Sequence, residues 1–241
     1  MLEWAWLLAL LAGSLVGFSL GLVGGGGSIL AVPLLVYVVG IDDPHVAIGT
    51  SAVAVAFNAA ANLIPHARKG NVKWRCAAVF AARGVLGALG GAYVGQRVDG
   101  ERLLGLFAAL MVVVGVLMLV RRDGGDAQDV QLGRDNLPKL VGGGFLIVPG
   151  LVWATGMPIR LAMASSLVAV AAFGVTTSAS YALSGNVDWG TAALFIGGGV
   201  AGGLLGARAG ETLAERRGAL NLLFAALIFV VAGYMLYRTL G

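Results

Sequence analysis

Two stretches decide how this chain is read: Gly21-Leu22-Val23-Gly24-Gly25-Gly26-Gly27-Ser28-Ile29-Leu30-Ala31-Val32-Pro33 and Val141-Gly142-Gly143-Gly144-Phe145-Leu146-Ile147-Val148-Pro149. Each sets a glycine run inside an uncharged segment and follows it with apolar residues and a proline. Glycine lets the backbone leave helical geometry at little steric cost, so both mark breaks within apolar segments. Residues 27–33 align with 143–149, and the match continues outward. Gly49-Thr50-Ser51 matches Ala164-Ser165-Ser166, and Gly70-Asn71-Val72-Lys73-Trp74 matches Gly185-Asn186-Val187-Asp188-Trp189. Gly84, Gly87, Gly91 and Gly95 match Gly199, Gly202, Gly206 and Gly210, and Leu106-Phe107-Ala108-Ala109-Leu110 matches Leu223-Phe224-Ala225-Ala226-Leu227. Matched blocks in one order, at a near-constant offset, identify an internal duplication. In a membrane protein, repeats of this size point to a transporter fold.

Composition says that a membrane is the setting. Of 241 residues, 59% are hydrophobic, 12% are charged and 39 are glycine. Too few polar residues remain to coat a soluble surface of this size. That excludes a soluble enzyme, a disordered chain and a disulfide scaffold. The glycines lack the G-X-Y period of collagen. The excess of 16 Lys+Arg over 12 Asp+Glu does not indicate nucleic acid, because the basic residues sit at the ends of apolar runs. A single cysteine, Cys76, leaves no internal disulfide. The first residues lack a basic n-region and a clear cleavage site, so they are not read as a removed signal peptide.

The expected architecture is all-α: a polytopic integral membrane protein with two inverted repeats. Each repeat has a glycine-broken re-entrant segment followed by three transmembrane helices. Repeat one, residues 1–122, holds a hairpin over 4–39 and spans at 47–64, 76–96 and 103–120. Residues 123–139 form a polar cytoplasmic linker. Repeat two, residues 140–241, holds a half-hairpin over 140–157 and spans at 161–183, 190–207 and 218–237. Runs of this length cross ~30 Å of hydrocarbon as helices. Inversion follows from charge. If 140–157 enters and leaves on one side, twelve of the 16 Lys/Arg fall inside and three outside, with Arg83 within a span. A single crossing gives a weaker inside bias, against the positive-inside rule. Both chain ends are then expected to be periplasmic. The second hairpin lacks the apolar arm that precedes the glycines in repeat one.

Several residues are candidates for substrate contact. A helix starting in mid-membrane presents free N–H groups and a positive dipole end, which suits an anion. Gly26, Gly27 and Ser28 in repeat one, and Gly143 and Gly144 in repeat two, are placed at two such facing starts. The alternative role of these glycines is close helix packing. Thr50, Ser51, Ser165 and Ser166 lie at equivalent depths and offer hydroxyls to an anion, or bond back to their own helices. Asn58, aligned with Phe173, is the lone amide deep in its span. It lines a site or holds two helices together. Arg83 is the only ionisable residue within a long span, where charge is functional by default; it balances an anion or snorkels to the inner surface. No catalytic constellation, metal-ligand cluster or cofactor motif is read, so an enzyme is not expected.

The order G-x-x-G-G-G-G-S-x-x-x-V-P, A-x-G-T-S, G-N-V-x-W, repeated across the chain, resembles the sulfite exporter TauE/SafE family. That resemblance implies a multi-pass protein of the bacterial inner membrane that moves sulfite, sulfonates or other organosulfur anions. The expected function is therefore a secondary transporter of small anions, with the substrate and the lipid bilayer as partners and a homodimer allowed by the glycine-rich faces. The alternatives are a passive anion channel and an inactive membrane scaffold paralogue.

Overall fold

The computed structural model describes residues 2–120, 159–212 and 217–240. The glycine-to-proline stretch of repeat two, with Gly143 and Gly144, and the linker 123–139 lie outside the described residues. Every described element is helical. Helix α1 is Leu2–Val23, and a 3-10 stretch Gly24–Leu30 follows it. A short α2, Ala31–Leu34, and a π turn, Leu35–Val39, complete the broken segment. The long helices are then α3 Pro44–Arg68, α4 Trp74–Gly95, α5 Gly100–Val120, α6 Ile159–Leu183, α7 Trp189–Thr212 and α8 Arg217–Leu240. Among the described residues, five helices are long and apolar enough to cross a membrane. Leucines and valines along the long helices, such as Leu86, Leu110, Val175 and Val230, are exposed, as lipid-facing positions require. The protein is a polytopic, helical membrane protein.

Local chemistry sets the helix boundaries. Asp43 caps α3, accepting from the His45 N–H at 2.8 Å, and Pro44 opens the helix. Proline suits this position because its missing N–H would have had no partner there. At the other end, the G-N-V-x-W motif is a helix stop, turn and restart. Gly70 and Gly185 take φ of 70° and 75°. In each turn the glycine N–H reaches back to Ala67 or Ala182, and the following asparagine N–H to His66 or Tyr181. This is a Schellman stop, which needs a left-handed residue and so selects glycine. Trp74 and Trp189 then open the next helices with exposed rings, as at a membrane interface.

The helices pack in matched pairs. α3 lies antiparallel to its repeat counterpart α6: Gly49 meets Tyr181, Gly174 meets Ala52 and Ala56. α3 also packs on α7, and α6 on α4. α5 pairs with α8. α3 is the most enclosed span, 67% buried. α1 has no counterpart among the described helices and runs parallel to α7 along a seam of backbone contacts. Added methyl groups at Gly198, Gly202 and Gly206 would land on the carbonyls of Leu10, Ser14 and Phe18. Those at Gly13 and Gly17 would land on Phe195 and Gly199.

α1 has 22 residues, about 33 Å at 1.5 Å per residue. The chain turns only after Val23 and then runs back beside α1, with Gly27 against the backbone of Ser19 and Leu20. The turn needs glycine because a Cβ there would overlap that backbone.

Candidate functional site

Seven polar residues are buried among the described spans: Ser19, Thr50, Ser51, Asn58, Asn62, Ser165 and Ser166. Five of the seven have polar partners on the page, and those partners sort them by role.

Thr50 and Ser165 tie the halves together. The Asp188 N–H donates to Thr50 Oγ1 at 3.0 Å, and the Lys73 N–H donates to Ser165 Oγ at 3.0 Å. Thr50 aligns with Ser165 and Lys73 with Asp188, so this is one bond made twice, each time from a helix-starting residue to the other repeat. Ser51 and Ser166 are also equivalent: each donates to its own helix, to Ile48 O at 2.8 Å and Met163 O at 2.7 Å. The two hydroxyl pairs are not brought together. Thr50 is level with Tyr181, 16 residues along α6 from Ser165, which is ~24 Å at 1.5 Å per residue.

Asn58 sits where α3 meets α7, with its amide against Gly199. It is fully buried, and neither Nδ2 nor Oδ1 has a hydrogen-bond partner. One turn on, Asn62 faces Gly203, and its Nδ2 donates to the Asn58 carbonyl at 2.9 Å. Gly199 is near the middle of the α7 span, Trp189–Ala209, so Asn58 lies near mid-depth. Gly17 of α1 meets the backbone of that same Gly199, and Gly27 rests on α1 two to three residues further along. The glycine turn and the amide therefore stand within about one helical turn of the same depth. Ser28 lies within the 3-10 stretch and is half-buried. The following short helix is capped by Leu30 without a side-chain bond. Gly26 is in the same stretch.

Arg83 is exposed on α4, beside Gly84, where the Phe173 ring of α6 packs. α4 does not share a packed face with α7, so Arg83 is not gathered to Asn58. Asn62 was missed by the sequence reading. Its signal was its spacing, four residues after Asn58, which puts both amides on one helix face.

Two cavities open at opposite ends of the bundle. One, about 480 Å³, lies between α3 and α7 and is lined by Asn62, Pro65, Arg68, Lys69, Val200 and Leu204, among others. The other, about 760 Å³, is lined by Tyr37, Asp42, Asp43, Asp99, Glu101 and Arg238, among others. No group of three or more His, Cys, Asp or Glu residues is placed to hold a metal among the described residues.

This is a membrane protein with a buried amide, Asn58, near mid-depth and cavities toward both ends. The profile of the sulfite exporter TauE/SafE family matches residues 9–235, and the chain belongs to that family. Its relatives are named as membrane transporters. A "Probable membrane transporter protein" of Xylella fastidiosa strain Temecula1 is 47% identical over 244 residues, covering 95% of this chain and 94% of the relative. One from Haemophilus influenzae is 30% identical over 203 residues, 76% and 75% of the two chains. YunE of Bacillus subtilis is 24% identical over 236 residues, 83% and 85% of the two. The Xylella alignment is longer than this 241-residue chain, so it includes positions where this chain has no residue. No solved structure matches. The protein is thus a membrane transporter of this family.

Proposed function

We propose that this protein is a secondary transporter of small anions, sulfite or organosulfonates, across the bacterial inner membrane, with both chain ends periplasmic. The observation that carries this reading is the doubled tie, Asp188 N–H to Thr50 and Lys73 N–H to Ser165. Two inverted repeats joined by one reciprocal contact at opposite ends can exchange roles, and that exchange underlies alternating access. The substrate binds near mid-depth, where the glycine-broken segment at Gly26, Gly27 and Ser28 comes level with Asn58. Gly143 and Gly144, their aligned counterparts in repeat two, are the matching substrate contacts. Thr50, Ser51, Ser165 and Ser166 flank the path rather than cap it, and Arg83 acts from the rim. The exposed glycines of α4 leave room for a homodimer.

The test is flux in proteoliposomes. Labelled sulfite and taurine are offered with and without unlabelled anion on the far side. Saturable uptake accelerated by counter-anion is expected. Ohmic currents without saturation point instead to a channel, and absence of flux with all anions to an inactive scaffold.

A further inference from the structure

The Asn58 amide is the most consequential loose end in the molecule. An amide buried in hydrocarbon is costly unless its hydrogen bonds are made. Its nitrogen carries two N–H donors and its oxygen accepts. Here both ends are without partners while the residue is fully buried. The buried side chains of Thr50, Ser51, Asn62, Ser165 and Ser166, by contrast, are all hydrogen-bonded.

Packing alone does not call for an amide here. The equivalent seat in repeat two is occupied by Phe173, whose ring lies against Gly84 as Asn58 lies against Gly199. Glycine makes the room in both cases: a methyl at Gly199 would fall on Asn58 Nδ2. One seat thus takes a purely apolar side chain and the other a donor–acceptor pair. Nor does the amide act as glue between helices, since neither Nδ2 nor Oδ1 makes a hydrogen bond across the α3–α7 contact. One turn along α3 from Asn58, Asn62 lines the cavity of about 480 Å³ whose lining also includes Arg68. A cation in that lining concentrates anions, and the neutral amide receives them without burying a second charge.

Resting on the transporter reading above, we propose that Asn58 is the residue that selects the substrate, and that it selects a singly charged sulfur oxyanion that also carries a hydrogen-bond donor. The sulfonate or sulfite oxygens accept from Nδ2. Only a ligand hydroxyl, ammonium or acid proton can fill Oδ1. Hydrogensulfite and hydroxy- or aminoalkanesulfonates meet both needs. A plain alkanesulfonate leaves Oδ1 bare, and a site built for a donor discriminates against the analogue lacking it.

Isethionate and ethanesulfonate test this directly, since they differ by one hydroxyl. Initial rates are measured in proteoliposomes for the wild type, Asn58→Leu and Gly199→Ala, with melting temperatures in detergent. The wild type is expected to move isethionate at least tenfold faster. Asn58→Leu is expected to lose that preference while melting higher, because an unpaired amide has been replaced by an apolar side chain. Gly199→Ala, which displaces the amide, is expected to lose the preference too. Equal rates in the wild type overturn the proposal, as does a preference retained in Asn58→Leu. A lower melting temperature for Asn58→Leu with the preference intact assigns Asn58 to packing and also overturns it. Flux of sulfite but of neither sulfonate overturns the sulfonate site and leaves the transporter standing. Absence of flux for sulfite and both sulfonates, in the wild type alone, overturns the transporter reading itself.

Discussion

Helices α4 and α7 carry the same glycine spacing, yet they stand in different surroundings. On α7, Gly198, Gly202 and Gly206 press against carbonyls of α1. On α4, Gly87 and Gly91, the aligned partners of Gly202 and Gly206, have no atom of the described residues within 4 Å of an added methyl, and neither has Gly90. The cause lies upstream. A 22-residue apolar helix precedes the first glycine run, whereas the sequence before the second, residues 123–139, is polar. A small-residue stripe permits close approach, but a partner helix must be supplied before the stripe does anything. Among the described helices the groove stands twice and the helix that fills it once.

The sharpest way to break this comparison is to make one substitution at two aligned positions. Gly202→Ala forces a methyl into the Ser14 carbonyl. Backbone can yield only by moving α1, so a loss of about 3 kcal/mol is expected, the upper end of overpacking costs. Gly87→Ala meets open space and gains helix propensity, so a stabilisation of about 0.5–1 kcal/mol is expected. Denaturation of both variants in detergent, at one protein concentration, gives the two signs. If Gly87→Ala is as damaging as Gly202→Ala, the α4 face is covered in the folded protein, and a second copy becomes the first partner to look for.

The ties between the halves should behave alike where the glycine faces do not. Thr50→Val and Ser165→Ala each remove the acceptor of one N–H. A loss of about 1 kcal/mol apiece is expected, within the usual range for one hydrogen bond. The sites are ~24 Å apart at 1.5 Å per residue, so the double variant should show the sum of the two losses. A double-variant loss well above the sum would mean that the two ends communicate through the α3–α6 pair, as alternating access requires.

Much of the fold was legible because membranes leave few choices. Each uncharged run among the described residues became a helix, and G-N-V-x-W became a Schellman turn in both repeats because glycine at positive φ is the least strained way to stop there. The alignment of Thr50 with Ser165 also drew attention to the two hydroxyls that accept the cross-repeat N–H bonds. Their partners were harder to see, because those partners are backbone N–H groups, which carry no sequence signal. The length of α1 was blurred for a related reason: residues 4–39 are apolar throughout, so hydropathy could not say where the helix ends. Asn58 was visible as a lone amide, but its isolation depends on Gly199 in the other repeat, and that pairing exists only in three dimensions.

The smallest effect concerns the caps of the two helices that the ties reach. Asp188 caps α7, accepting from Gly190 N at 3.0 Å, Thr191 N at 3.1 Å and Thr191 Oγ1 at 2.6 Å. Its counterpart Lys73 opens α4 with no side-chain cap. The Thr191 hydroxyl, with help from the two N–H groups, holds the Asp188 carboxyl below the usual carboxylate range. A group whose folded pKa is depressed stabilises the fold above its unfolded pKa, and that stabilisation is lost as pH falls through the folded value. Wild-type melting should therefore weaken in the acid range, below the ordinary aspartate pKa, and Asp188→Ala should remove that part of the acid sensitivity. At neutral pH, Asp188→Ala is expected to cost about 0.5–1 kcal/mol, the lower part of the range for losing an N-cap. Lys73→Asp should transplant the cap, stabilising α4 by a similar amount and bringing the two repeats closer to equivalence. If Lys73→Asp gains nothing, then the N–H given to Ser165 already fixes the start of α4, and the cap on α7 reflects the needs of its loop rather than of its helix.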